Sequence, residues 1–76
     1  MALKQLFKIE VTDTFGGEAN YSWVKRYEFH AISPLGAMQM LAREQGAGWT
    51  KDYDTGDVAR YNLKGACICA FVKCAE

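Results

Sequence analysis

Three cysteines fall within eight residues, at Cys67, Cys69 and Cys74, and the chain's single histidine is His30. Thiolates and an imidazole are the donor types of a tetrahedral zinc site. The spacing argues against one. Structural zinc takes a Cys-x2-Cys pair from a turn whose backbone wraps the metal, whereas Cys67 and Cys69 form Cys-x-Cys inside the apolar run Ala66–Val72. If the strand reaches Cys74, that thiol points to the opposite face. Reduced thiols acting as small apolar groups fit better, and an odd number of them does not make a disulfide framework. We expect no metal and no cofactor.

The acidic residues offer two further chemistries. Asp54-Thr55-Gly56 matches the triplet of aspartic proteases, where two copies share one proton because adjacent carboxylates do not both ionise cheaply. Those enzymes flank it with apolar strand residues, but here Tyr53 and Asp57 flank it and Asp52 lies just before, so a turn is expected. The same run resembles the start of a calcium loop, which needs a bidentate Glu at its twelfth position. That position holds Leu63.

His30 is also the sole imidazole available as a general base, and no pattern links it to a particular thiol or hydroxyl. Gly16-Gly17 lacks the lysine of a phosphate-binding loop and reads as a hairpin turn. The segment Lys64–Phe71 lies near the RNA-binding strand motif that alternates aromatics after a basic residue and glycine. Its stacking positions hold Ala66 and Ile68, and only Phe71 falls in place. None of these groups names a reaction, and the chain is expected not to be an enzyme.

The elements that position these residues follow from periodicity. Leu3–Thr12 alternates, with Phe7, Ile9 and Val11 in phase, and Tyr21–Ala31 alternates again with Trp23, Tyr27 and Phe29 in phase. They should pair as a hairpin. Ser33 caps a helix over residues 34–45, Pro34 suits its first position, Ile32 can staple its start, and Gly46 or Gly48 ends it. Trp49–Gly56 reads as a loop with at most a short edge strand. Val58–Leu63, a turn at Lys64-Gly65 and Ala66–Lys73 complete a second hairpin. The expected fold is α+β, order ββαββ: one domain over residues 1–76, a four-stranded antiparallel sheet with one helix on one face.

With 76 residues, half of them apolar, 13% aromatic and a single proline, the composition is that of a small packed globule. Nine Lys plus Arg balance nine Asp plus Glu, so no global field favours nucleic acid or an anionic membrane. No apolar stretch approaches the ~20 residues of a bilayer span, and Met1–Gln5 lacks a signal's apolar core. A cytoplasmic location is expected.

One helix covers one side of a sheet, so a second face is left open, with Cys67, Cys69 and Phe71 at its centre and Arg26 and Arg60 around it. That is an apolar core with a polar rim, the make-up of an interface. Trp23 and Tyr53 add amphipathic aromatics of the kind enriched at binding hot spots. The layout of a hairpin, then Phe29-x-Ala31-x-Ser33 leading into an alanine-bearing helix at Ala37 and Ala42, then a second hairpin, resembles small phage-encoded proteins that block host machinery, anti-CRISPR proteins among them. The resemblance implies a protein-binding inhibitor of a host complex and assigns no functional residue. We therefore expect a protein partner, including a second copy of the chain. Nucleic acid is the alternative, since the open face carries Lys4, Lys8, Arg26, Arg60 and Lys73 against Glu10 and Glu28, a local +3.

Overall fold

The computed structural model describes residues 4–46, 48–63 and 65–75. They form β1 (Gln5–Phe15), β2 (Glu18–Ala31), α1 (Pro34–Gln45), β3 (Trp49–Asp54), β4 (Val58–Leu63) and β5 (Ile68–Cys74). All five strands join one antiparallel sheet in the order β2-β1-β5-β4-β3. The strand start at Leu3 and the turn residue Lys64 lie outside the described residues.

The expected four strands become five. Residues Trp49–Asp54 pair with β4 from Trp49↔Leu63 to Asp54↔Ala59, with a register shift between Lys51 and Tyr53. That shift is why the segment does not read as a strand. A bulge at Asp52 breaks the period of two, so Trp49 and Tyr53, four residues apart, end on opposite faces. Trp49 packs against the core beside the helix, while Tyr53 pairs with Arg60 on the other side.

The helix ends where its signals place it. Ser33 is the N-cap, its hydroxyl accepting from the Gly36 N–H at 3.1 Å, and Gly46 takes the left-handed conformation that closes the C-terminus, donating to the Ala42 carbonyl at 2.7 Å. The staple does not form: Ile32 is 60% exposed. Its would-be partner four positions in is Ala37, a single methyl already buried in the core.

Ala37, Met38 and Leu41 of α1 are buried against Phe7, Ile9 and Val11 of β1, Tyr61 of β4 and Val72 of β5. The period-two patterns of these strands thus meet the 3.6-residue pattern of the helix in one layer. Burial raises the Tyr61 phenol pKa, and the Asp54 carboxylate adds to the rise. The Trp49 indole Nε1 is buried with no hydrogen-bond partner among the described residues. Five strands at about 4.8 Å spacing span roughly 19 Å, against a helix 10–12 Å wide, so α1 shelters one face only.

Candidate functional site

The second face is divided by the β1–β2 hairpin. Gly16 and Gly17, with φ of 62° and 88°, join Phe15 to Glu18 in a two-residue turn that requires positive φ at both positions. Lower down, Thr12 pairs with Val24 but Thr14 pairs with Ala19, leaving residues 20–23 opposite Asp13 alone. Side chains replace the lost ladder bonds. The Thr12 hydroxyl donates to the Trp23 carbonyl at 2.9 Å and accepts from the Tyr21 N–H at 3.1 Å. Asp13 accepts from the Ser22 N–H at 3.0 Å and from the Asn20 amide at 2.9 Å. Hydrogen bonds from Ser22 and Asn20 hold the Asp13 carboxyl at about 2 against an ordinary 3.8.

A bulge of this size bends the ribbon. Gly17 lies seven residues beyond Glu10, which would put it about 23 Å along a straight strand. Instead its carbonyl accepts a hydrogen bond at 2.6 Å from Nη2 of Arg60, a residue in Glu10's own cross-strand row. The hairpin tip is therefore folded back over the sheet face away from the helix. Under it Thr12 and Cys69 are both 0% exposed.

Arg60 is the latch. Its side chain is 14% exposed and pairs with Asp52 at 3.5 Å. Its Nε donates to Asn62 at 3.3 Å, and its guanidinium lies 5.8 Å from the Phe71 ring centre, a cation–π distance. Expected as part of a rim, it stands near the middle of the face.

Sheet register brings four of the seven sequence-selected residues into one line. Arg26, Glu10, Phe71, Arg60 and Tyr53 form a row across β2, β1, β5, β4 and β3. Beside it, away from the hairpin tip, run Glu28, Lys8, Lys73 and Val58. Between the two rows lies a groove of about 350 Å³ lined by Lys8, Glu10, Arg26, Glu28, Phe71 and Lys73 over the backbone of Ile9 and Tyr27.

The other three selected residues do not join it. Cys69 is on this face but enclosed, so it offers no surface to a partner, and burial raises its thiol pKa. Cys67 precedes β5, which starts at Ile68 and not at Ala66; it is exposed, and its carbonyl accepts from the Thr14 N–H at 2.9 Å. Trp23 lies at the bulge and is exposed, outside the row. Strand periodicity does not disclose the side-chain stitching by Thr12 and Asp13. Its signal is two short polar residues opposite Asn20-x-Ser22, all types that compete with backbone hydrogen bonds.

Charges on the face are largely compensated. Lys8 pairs with Glu28 at 3.9 Å and Arg26 with Glu10 at 3.3 Å. Asp52, absent from the sequence count, lowers the local charge from +3 to +2. The acidic run ends strand β3 at Asp54 and turns at residues 55–57: Asp54 accepts from the Gly56 N–H at 2.9 Å and the Thr55 hydroxyl accepts from the Val58 N–H at 3.3 Å. Among the described residues no three His, Cys, Asp or Glu side chains gather as metal ligands, and no helix is long and apolar enough to cross a membrane. No protein-family model, curated protein or solved structure matches this chain.

Proposed function

We propose that this chain is a non-enzymatic protein-binding module, acting in the cytoplasm, that grips its partner with the uncovered part of the open sheet face. In this reading it serves as a phage or mobile-element inhibitor that blocks a host defence complex by surface contact. The observation that carries the reading is the groove beside Phe71. It joins a half-buried ring to cations and anions that already hold one another, a surface suited to a mixed protein patch and poorly suited to a polyanion. A partner there meets an apolar centre ringed by oriented charges, with Tyr53 at the far end of the same row. Three of the five cations counted for nucleic-acid binding are in ion pairs, which weakens that alternative.

The test is a pull-down from host lysate with mass spectrometry, comparing the native chain with Phe71→Glu and with Leu35→Glu, the latter on the exposed side of the helix. A host protein retained by the native chain and by Leu35→Glu but lost with Phe71→Glu supports the reading. Equal retention by all three overturns it, as does a complex that dissolves on nuclease treatment or weakens steeply with salt. Circular dichroism checks that Phe71→Glu folds; Lys73→Glu, an exposed position in the same groove, reads the same surface if it does not.

A further inference from the structure

The free edge of β2 carries unused backbone, and its charges choose a partner. Residues of an antiparallel strand alternately spend their N–H and C=O groups on one neighbour and on the other. Between β1 and β5 the Ala75 N–H donates to the Leu6 carbonyl at 2.8 Å and the Thr14 N–H to the Cys67 carbonyl at 2.9 Å. Even-numbered residues of β1 therefore bond to β5 and odd-numbered ones to β2. With Phe7 opposite Phe29 and Ile9 opposite Tyr27, the odd residues of β2 face β1. The backbone groups of Val24, Arg26, Glu28 and His30 point outward.

Between Val24 and Ala31 that edge is guarded only by its charged side chains, Lys25, Arg26 and Glu28. It runs regularly from Val24 to Ala31 without proline or bulge, whereas the opposite edge, β3, is six residues long and bulged. We propose that β2 pairs antiparallel with β2 of a second copy about a two-fold axis at Tyr27, making one ten-stranded sheet. Because only even residues face outward, the two copies pair even with even. An axis at Tyr27 sets Arg26 opposite Glu28 of the second copy, and symmetry repeats the pair. An axis at Arg26 would oppose two arginines, and one at Glu28 two glutamates, which like-charge repulsion disfavours.

The pair also extends ion pairs already present. Lys8 and Glu28 continue into Arg26 and Glu10 of the second copy, alternating in sign across the junction. Both helices then lie on one side of the sheet and both grooves on the other, side by side. This pairing is independent of what the groove binds.

Light scattering on the full chain should give twice the 8.5 kDa mass of one copy. Arg26→Glu alone and Glu28→Arg alone should each halve it, and the two combined should restore the doubled mass, since the exchange re-creates opposite charges across the axis. Each single change also removes an ion pair within its own copy, so thermal unfolding is followed alongside. Tyr27→Cys in a Cys67→Ser, Cys74→Ser background gives a second arm. Across a two-fold axis only residue 27 faces itself, in a non-hydrogen-bonded pair about 4.5 Å apart, close enough for a disulfide. It should cross-link under mild oxidation and Lys25→Cys should not. A monomeric mass at NMR concentrations, a dimer indifferent to both charge changes, or cross-linking by Lys25→Cys and not by Tyr27→Cys overturns the proposal.

Discussion

Asp13 binds the β1–β2 irregularity together with carboxylate oxygens where a regular hairpin would use carbonyls. Its pKa of about 2 is set by bonds that exist only in the folded chain, so the folded state holds this proton less tightly than the unfolded one does. The stabilisation is complete above the ordinary value of 3.8 and is lost as pH falls from there through about 2. A carbon-detected NMR titration should place the Asp13 carboxyl midpoint near 2, and Asp13→Asn should flatten the acid limb of the urea midpoint. A midpoint near 3.8 would mean that the bonds to Ser22 and Asn20 do not persist in solution. At this scale the sequence is only partly readable. Alternation alone places Arg26, Arg60 and Phe71 on one face, since it needs only the phase of each strand. It does not reveal that Cys69 is covered, because the cover comes from a turn more than fifty positions away. Tyr53 reaches the same row only because the Asp52 bulge reverses its phase.

The helix is the element whose limits the residues announce most plainly. Capping and the left-handed stop are local rules, satisfied by Ser33, Pro34 and Gly46 whatever the rest of the chain does. Its contribution to stability is not local. Leu41 is fully enclosed beneath the helix, and Leu41→Ala should cost about 3 kcal/mol from lost transfer energy and the cavity left behind. A domain of this size holds roughly 4–11 kcal/mol in all. Ser33→Ala loses one cap and should cost only ~1 kcal/mol. Urea unfolding followed by circular dichroism should rank the two in that order, and the reverse ranking would show that the helix is held mainly by its own cap. The β3 strand is the opposite case. Its bulge and its Asp-rich end suppress the period on which strand recognition depends, and only pairing with β4 discloses it.

For the molecule as a whole, a simple area comparison is enough to say that one helix leaves a face uncovered. The hairpin then closes the part of that face around Thr12 and Cys69, a result that depends on Thr12, Asp13 and Arg60 acting together across the sheet. The part left open is where the proposed contact lies.

The central position of β5 carries a consequence of its own. Because it inserts between β1 and β4, the backbone at Leu6 is bonded directly to that at Ala75, nearly seventy positions later. Closing so long a loop is the slow kind of step in folding, yet the finished molecule no longer needs the chain to be read in its present order. A circularly permuted gene, with a short glycine bridge joining these neighbours and new termini cut between Gly56 and Asp57, should yield the same far-ultraviolet spectrum and a single cooperative melt. A broad, non-cooperative melt would show that the native reading order is itself a requirement of the architecture.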